Sequence, residues 1–307
     1  MIIHLNGRLM PLEHASISPF DRGFIFGDGV YEGLRSFRGK MVGMERHIAR
    51  MRDGLREARI DWDPSPLTRM SEELIKACAM PDAFVYWQVT RGTPGPGQPV
   101  RSRVPAGRMT PTVFGYCTPQ PPIEKFVNAD PPTVTCAVCE DTRWSRGHLK
   151  SISLLGNVIA AIEADEAGAQ DAILVKNGLV GEGTAANLIL VHGRQIVTPS
   201  LESVPILAGV TRAMDLDVAP EIVSRPVKVE ELASASELML TGTTTMITSI
   251  TQVDGRPVGD GKPGPVARSL LARLTRAIAV ELGFGDIVER IRVDTLSPWS
   301  SPVSASR

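Results

Sequence analysis

Residues 144–157 read WSRGHLKSISLLGN and place one lysine, Lys150, directly before an apolar run that predicts a helix over 155–167. Lysine is scarce, since only 7 of the 33 basic residues are lysines. A lysine amine can form an imine with a carbonyl compound only when it is unprotonated, and burial favours that form. A lone lysine between a strand and a helix is more often a surface residue, so other motifs must decide whether Lys150 is reactive.

A second motif, GEGTAANL, follows at 181–188. Its glutamate, Glu182, lies between two glycines, whose missing side chains allow another group to approach the backbone. A carboxylate at this point could keep a ring nitrogen protonated. The plainer interpretation is an ordinary glutamate in a hairpin turn.

Three further motifs suit a phosphate group. LAGVTRAM at 207–214 places Gly209, Val210 and Thr211 at the start of a predicted helix, whose free N–H groups and dipole favour an anion. TGTTTM at 241–246 offers backbone and hydroxyl donors. Arg50, in ERHIARM, has a planar guanidinium that fits phosphate. Singly, these could be a threonine-capped helix, a threonine-rich loop and a solvent-facing arginine.

Composition bounds the class of protein. The chain has 307 residues, 43% of them hydrophobic and 22% charged, with a formal net charge of -1. These are values of a globular protein and do not suggest a nucleic-acid or membrane-surface binder. No apolar stretch is long enough to cross a bilayer, and the N-terminus lacks a signal-peptide pattern, so we expect a cytoplasmic protein.

The cysteines include a C-x-x-C pair, Cys136 and Cys139, in the run TVTCAVCE. Such a pair can be half of a metal site or a redox pair, but no second cysteine pair exists. The run predicts a strand, in which positions three apart face opposite sides. We therefore expect buried small side chains and no metal site.

The local patterns predict an α/β (α+β) protein of two domains. We predict a small N-terminal α/β domain over 1–116, a linker over 117–130, a larger domain over 131–290 and a loose tail over 291–307. A hairpin should turn at Asn6-Gly7, and FVYWQVT should form a strand. Besides 155–167, helices are predicted over 45–60, 66–79, 210–217, 229–235 and 265–282, and residues 92–122 are predicted to be an exposed loop and linker.

Taken in order, the motifs resemble the class IV aminotransferases, which are fold type IV enzymes that depend on pyridoxal 5′-phosphate (PLP). The similarity runs over about 3–285, from LNGRLMPLEHASISPFDRGFIFGDGVYEGLR through HIARM, VYWQVTRGT, HLKSISLLGN, GEGTAANL, LAGVTR and TGTTT. The resemblance implies a small α/β domain and a larger domain of mixed β-barrel-like structure, with PLP in the cleft between them. It also implies a homodimer in which the partner subunit contributes to the pocket.

The resemblance implies a role for each matching residue. Lys150 matches the Schiff-base lysine, Glu182 the glutamate that pairs with the pyridine nitrogen, and Arg50 the phosphate arginine. Leu207 matches a leucine that packs on the ring, and Tyr31 an aromatic residue of the substrate pocket. The remaining matches are phosphate-binding positions, namely Gly209, Val210, Thr211, Thr243 and Thr244.

The substrate stays open between subfamilies. VYWQVTRGT resembles the D-amino acid aminotransferases, yet Pro96 and Gln98 stand where their carboxylate-binding arginine and histidine belong. YEGLRSFRGK resembles the branched-chain enzymes, yet Tyr86 is followed by Gln88 where those carry an arginine. The candidates for a replacement cation are Arg35, Arg101, Arg103 and Arg108, each of which could equally be a surface arginine.

We expect a transaminase that moves an amino group between an amino acid and a 2-oxo acid. D-amino acids are slightly favoured over branched-chain L-amino acids, and an (R)-selective amine transaminase comes third. A lyase of the aminodeoxychorismate type would use the same lysine. A catalytically idle PLP-binding protein is the alternative from another class, but the presence of both Lys150 and Glu182 argues against it.

Overall fold

The structure is a computed structural model and describes residues 1–105 and 107–293. Its described residues form two compact units, one of 1–122 with 146–155, and the other of 123–145 with 156–293. The predicted tail over 291–307 lies outside the described residues from position 294.

The first unit is built on an antiparallel sheet of six strands in the order β2-β1-β6-β5-β3-β4 among the described residues. Asn6 and Gly7, with φ of 49° and 85°, make the tight turn between the first two strands, so the predicted hairpin is confirmed. The strands are β1 Ile2–Leu5, β2 Arg8–Pro11, β3 Gly29–Phe37, β4 Lys40–Met41, β5 Ala83–Thr90 and β6 Thr112–Pro119. The helices are α1 Arg22–Phe26, α2 Met44–Ala58, α3 Leu67–Cys78 and a 3-10 turn at Leu12–His14.

Helices α2 and α3 cover one face of this sheet. The core beneath α2 contains Met51 and Leu55, which lie on one side of the helix because they are four residues apart. They belong to the same buried cluster as Val85 and Trp87. Side chains of β5 alternate between this core and the opposite face, where Tyr86 is half-buried. The half-buried side chains on that opposite face, such as Tyr86 and Gln88, are therefore available to contact a ligand.

The segment 146–155 belongs to the first unit, although the sequence placed it in the larger domain. The physical reason is backbone pairing, because Val30 and Ser151 form an antiparallel bridge. Tyr31 also donates its N–H to the carbonyl of Lys150. Hydrogen bonds to β3, more than sequence position, decide where Lys150 lies.

The second unit is a closed sheet. The strand order is β12-β11-β10-β13-β14-β7-β8-β9, and β9 returns to pair with β10 through Glu182 and Asn187, so that six strands close a barrel. The strands are β7 Thr133–Glu140, β8 Asp171–Lys176, β9 Leu179–Gly183, β10 Asn187–His192, β11 Gln195–Pro199, β12 Ile222–Arg225, β13 Glu237–Gly242, β14 Met246–Val253 and β15 Arg256–Pro257. The helices are α4 Leu155–Glu166, α5 Val210–Val218, α6 Pro265–Glu281 and α7 Gly285–Val288, with 3-10 turns at Ile123–Phe126 and Val229–Ser234.

Most predicted helices are confirmed to within two residues, but two expectations need correction. The helix predicted over 229–235 is a 3-10 helix at Val229–Ser234. The loop and linker predicted over 92–122 contain β6, Thr112–Pro119, and the predicted linker boundary at 117 falls inside that strand. The strand was missed because proline and glycine dominate the sequence around it, and these residues predict a loop. Its side chains nevertheless alternate between buried and half-buried positions, as expected for a strand.

Candidate active site

Lys150 is held beside β3 by backbone hydrogen bonds on both sides. Tyr31 donates its N–H to the Lys150 carbonyl at 3.0 Å, and Ile152 donates to the carbonyl of Gly29 at 3.1 Å. The Lys150 Nζ atom lies 4.2 Å from the centre of the Tyr31 ring. A half-buried amine on a fixed backbone has the placement that an amine nucleophile needs.

Beside Lys150 runs a row of aromatic rings across β3, β5 and β6. The ring centres of Tyr31 and Tyr86 are 5.6 Å apart, and those of Tyr86 and Tyr116 are 5.0 Å apart. Tyr86 donates its hydroxyl to Gln88 Oε1 at 2.8 Å. Burial raises the pKa of Tyr86, so its phenol keeps its proton. Three residues predicted from the sequence to contact substrate, Tyr31, Tyr86 and Gln88, thus lie on one wall of the first unit.

Arg50 is fixed by a glutamate that the sequence did not single out. Arg50 Nε and Nη2 donate to the two carboxylate oxygens of Glu32 at 2.8 and 2.7 Å. His47 Nδ1 lies 2.7 Å from Glu32 Oε2 and donates to it, because a carboxylate only accepts. Burial opposes ionisation of Glu32, but the charge and hydrogen bonds of Arg50 hold its pKa at about 2. Burial lowers the pKa of His47, so the negative charge of Glu32 is balanced mainly by Arg50.

Glu182 is buried in the second unit and is hydrogen-bonded from several directions. Arg143 Nη1 donates to Glu182 Oε1 at 2.9 Å, while its Nε and Nη2 donate to Asp141 at 2.9 Å each. The other carboxylate oxygen accepts from Asn187 Nδ2 at 3.1 Å and from the Leu207 N–H at 3.2 Å. Although burial lowers it, the pKa of Arg143 is raised by the two carboxylates. These donors fix the direction of the Glu182 carboxylate.

The predicted phosphate turn at the start of α5 packs closely against the Glu182 cluster. A Cβ atom added at Gly209 would lie 2.0 Å from Asn187 Oδ1, so this position has no room for a side chain. Gly209 caps α5 without a side-chain hydrogen bond, and Thr211 in the first turn is buried. The helix begins with N–H groups directed toward its N-terminal side, which is where an anion is stabilised.

The second predicted phosphate turn follows β13. Thr243 is half-buried and Thr244 is exposed, so both are accessible to a ligand. The buried Thr245 Oγ1 has no hydrogen-bond partner among the described residues. Both predicted phosphate turns belong to the second unit, and α5 packs against β13.

Arg35, a candidate for binding the substrate carboxylate, is not favoured by the structure. It is 1% exposed, and its guanidinium donates to Gln120 Oε1 at 2.7 Å and to the Pro121 carbonyl at 2.5 Å. These hydrogen bonds connect β3 to Gln120 and Pro121, the two residues that directly follow β6. Arg35 therefore has a structural role that composition alone could not reveal.

The other candidate arginines lie on the exposed loop between β5 and β6. Arg108 pairs with Asp61 at 2.9 Å on the surface, and the Arg101 guanidinium lies 5.7 Å from the centre of the Phe26 ring. Arg103 is exposed, and its carbonyl accepts from the buried Arg22 at 3.1 Å. Arg22 thereby anchors the loop that carries the candidate cations.

The prediction that both cysteines of the C-x-x-C pair are buried is confirmed. Cys136 and Cys139 are buried free thiols, and burial raises the pKa of both. No group of three or more His, Cys, Asp or Glu side chains suited to a metal ion occurs in residues 1–105 and 107–293. In the same part of the chain, no helix has the length and apolar character needed to cross a membrane.

The first unit thus carries an amine beside a row of aromatic rings, and the second unit carries a carboxylate fixed by donors and two phosphate-compatible turns. The family described as Amino-transferase class IV matches residues 29–253, so the chain belongs to the class IV aminotransferases. It is an enzyme of a PLP-dependent family.

Two relatives cover nearly the whole chain. A D-alanine aminotransferase of Bacillus licheniformis is 34% identical over 287 residues, covering 92% of this chain and 98% of the relative. A putative branched-chain-amino-acid aminotransferase of Methanocaldococcus jannaschii is 31% identical over 282 residues, covering 88% and 94% of the two chains.

Solved structures share the fold. The branched-chain aminotransferase of Escherichia coli superimposes with a TM-score of 0.80 at 21% identity and covers 97% of each chain. The PLP-bound form of a hypothetical aminotransferase of Mycobacterium tuberculosis gives 0.76 at 19% identity, covering 92% of this chain and all of that chain. The predicted two-domain mixed α/β fold of type IV PLP enzymes is therefore confirmed as the fold class.

Sequence patterns missed four supporting residues: Glu32, His47, Arg143 and Asn187. Two of them left a signal, since His47 precedes Arg50 by one helical turn and Arg143 lies seven residues before Lys150 in the same stretch. Glu32 and Asn187 had no local signal, because the strand register is what brings them to Arg50 and Glu182.

Proposed function

We propose that the chain is a transaminase that exchanges an amino group between a D-amino acid and a 2-oxo acid, with Lys150 as the catalytic lysine. The observation that carries the assignment is the Lys150 Nζ, fixed 4.2 Å from the Tyr31 ring at the start of the aromatic row. When bound, PLP supplies the electron sink for the substrate carbanion. The protein supplies position, charge and proton transfer.

Lys150 has two tasks in this proposal. Its amine would hold the cofactor in the resting enzyme. When substrate is bound, the same amine would act as the base that takes the proton from the substrate α-carbon. The backbone pairing of residues 150–152 with β3 keeps this amine in reach, so that proton transfer needs no large movement of the chain.

The geometry of each cluster supports a role for the remaining residues in holding the cofactor. Glu182 would keep the pyridine nitrogen of the bound cofactor protonated, and Arg143 would orient the Glu182 carboxylate. In the first unit, Arg50, oriented by Glu32, would bind phosphate. In the second unit, the turn of Gly209, Val210 and Thr211 and the turn of Thr243 and Thr244 would bind phosphate. Leu207 would pack on the cofactor ring, and its backbone N–H donates to Glu182.

The donor preference rests on the relatives. Those named D-alanine aminotransferase are 31–34% identical to the chain, which supports D-amino acids. The second candidate is a branched-chain L-amino acid, supported by the relative from Methanocaldococcus jannaschii and by the aromatic row of Tyr31, Tyr86 and Tyr116. The substrate carboxylate would then be bound by loop arginines such as Arg101 or Arg103, since Arg35 is engaged elsewhere.

We also propose a cytoplasmic homodimer whose partner subunit contributes to the pocket. Helix α4 supports the dimer, because it exposes a row of apolar side chains at helical spacing, with Leu155 71%, Val158 50%, Ile159 42% and Ile162 51% exposed. The four free cysteines suit a reducing compartment. Light scattering on a sizing column separates the 33.1 kDa monomer from a dimer of twice that mass.

Borohydride reduction tests the assignment of the lysine. Reduction fixes the cofactor onto the lysine that carries it, and peptide mapping should find the label at Lys150. Lys150→Ala should abolish turnover and still bind PLP noncovalently, whereas Lys262→Ala, a control at an exposed lysine of the second unit, should keep activity. A label elsewhere, or near-normal turnover of Lys150→Ala, would refute the assignment.

A panel of amino donors tests the substrate. We expect D-alanine to bleach the cofactor absorbance of the purified protein, and L-leucine and (R)-amines to do so more slowly. A strong response to L-leucine with none to D-alanine would select the branched-chain candidate. Pyruvate release without an oxo-acid acceptor would indicate a lyase.

A further inference from the structure

A buried carboxyl group links the two predicted phosphate turns. Asp215, in the second turn of α5, is fully buried, and its Oδ2 accepts from Thr241 Oγ1 at 2.5 Å. Thr241 is 1% exposed and belongs to β13. Asp215 Oδ1 has no hydrogen-bond partner within the part of the chain that the structure describes. A carboxyl group in such a position costs stability, so it calls for a functional explanation.

The position of this hydrogen bond suggests its purpose. Asp215 lies four residues after Thr211, on the same face of α5 and one turn below it. Thr241 lies two residues before Thr243 and leads directly into the second turn. The bond therefore joins the two chain segments just behind the groups assigned to the phosphate, and it sets the spacing between them.

Thr241 also connects this pair to the Glu182 cluster. It is the cross-strand neighbour of Asn187 on β10, and Asn187 Nδ2 donates to Glu182 Oε2. Thr241 is thus linked to Glu182 through its cross-strand neighbour Asn187, while its hydroxyl donates to Asp215. A shift of β13 would move both ends of the proposed cofactor site in this unit.

The charge state of Asp215 follows from its surroundings. Burial raises the pKa of Asp215 to about 8, against the opposing effects of the Thr241 hydrogen bond and of Arg212. Arg212, on the same helix, directs its N–H groups to Thr198, the Pro199 carbonyl and Ser224. Asp215 is therefore mainly a neutral acid at pH 7.

Two neighbouring elements, β13 and α6, pack against α5. Strand β13 faces Asp215 with the hydroxyl of Thr241. Helix α6 approaches the end of α5 with Arg273, which donates to the Val218 carbonyl and to Glu221. A neutral Asp215 joins the turns without adding a negative charge behind a phosphate that carries up to two.

We propose that Asp215 is a positioning residue for the cofactor phosphate, which fixes the spacing of the two turns through its hydrogen bond with Thr241. The inference rests on the proposed function, because that proposal assigns the phosphate to these turns. Its consequence is a loss of phosphate affinity in alkaline solution, when a carboxylate forms beside the site.

The affinity of the apoenzyme for PLP, divided by its affinity for pyridoxal, isolates the contribution of the phosphate. We would measure both by equilibrium dialysis between pH 6.5 and 9.5 for the wild type, Asp215→Asn, Asp215→Leu and Thr241→Val. Asp215→Asn keeps the size and cannot ionise. Glu237→Gln is the matched control, because Glu237 is a buried carboxyl group on the same strand that accepts from the Val266 and Ala267 N–H groups.

For the wild type, we expect the PLP-to-pyridoxal ratio to fall about tenfold from pH 7 to pH 9.5, beyond any fall seen in Asp215→Asn. Asp215→Leu and Thr241→Val should lower the ratio at every pH, since the turns lose their connection. Glu237→Gln should follow the wild type. If the Leu variant does not fold, the conservative Asn variant still decides the pH effect.

Parallel pH profiles of the wild type and Asp215→Asn, with an unchanged ratio in Thr241→Val, would overturn the inference. That result is distinct from failure of the proposed function, in which the wild-type protein would not take up PLP or would carry the borohydride label away from Lys150. Inorganic phosphate gives an independent measurement. It should raise the melting temperature of the wild-type apoenzyme at pH 7 more than that of Thr241→Val.

Discussion

Replacing Glu32 by glutamine should destabilise the protein because it removes the negative charge that faces the half-buried Arg50. Glu32 is fully buried and accepts both hydrogen bonds from Arg50 and one from His47. The glutamine keeps the size of the side chain but carries no charge and can accept through one oxygen only. The substitution therefore tests the charge, with packing nearly unchanged.

The expected loss follows from the pKa of Glu32, which falls from an ordinary 4.5 to about 2 in the folded protein. A change of that size corresponds to about 3 kcal/mol of stability, in the range of about 3–5 kcal/mol for breaking a buried ion pair. Because the folded pKa is lowered, this stability is present above pH 4.5 and is lost as the pH falls toward 2. The difference between wild type and Glu32→Gln should therefore shrink below pH 4.5.

Urea unfolding followed by tryptophan fluorescence measures this difference, since Trp87 lies in the core of the same unit. We expect a loss of about 3 kcal/mol at pH 7 and about 1 kcal/mol less than that at pH 3.5. Glu73→Gln is the control, because Glu73 pairs with Arg69 on the exposed side of α3, where such a pair contributes at most about 0.5 kcal/mol. A loss below about 1 kcal/mol at pH 7, or one independent of pH, would refute the reasoning.

Two more substitutions probe the second unit. Arg143→Gln should lower kcat at least tenfold in a steady-state assay, because Glu182 loses its charged partner. Arg143→Lys should recover part of that loss. Equal rates for wild type and Arg143→Gln would contradict this prediction. Gly209→Ala should weaken PLP binding in a dialysis assay, since the new Cβ would lie 2.0 Å from Asn187 Oδ1. Gly285→Ala, where a Cβ meets nothing within 4 Å, is its control, and equal PLP affinity of the two variants would contradict the steric argument.

The sequence predicted the local elements well because their signals are local. The Asn6-Gly7 turn and the apolar spacing of α2 each depend on a few neighbouring residues, and both appear in the structure. The strand β6 was missed because the proline- and glycine-rich loop before it dominated the composition of the same window.

The candidate arginines show the limit of residue type as a guide. Arg35 and Arg108 looked equivalent in the sequence, yet one is buried against Gln120 and Pro121 and the other is exposed beside Asp61. The burial of each arginine depends on which strands pair. The sequence pattern of the loop or of β3 does not indicate that pairing.

The amine, the carboxylate and the phosphate-compatible turns could be predicted from the sequence, because each is encoded by a few adjacent residues around Lys150, Glu182 and Thr211. The fold shows which groups support them. Glu32 and Arg50 are 18 residues apart, Arg143 and Glu182 are 39 apart, and Asp215 and Thr241 are 26 apart. Such pairs form only when strand register and helix packing are set, and only then do burial and hydrogen bonding fix the charge of each group.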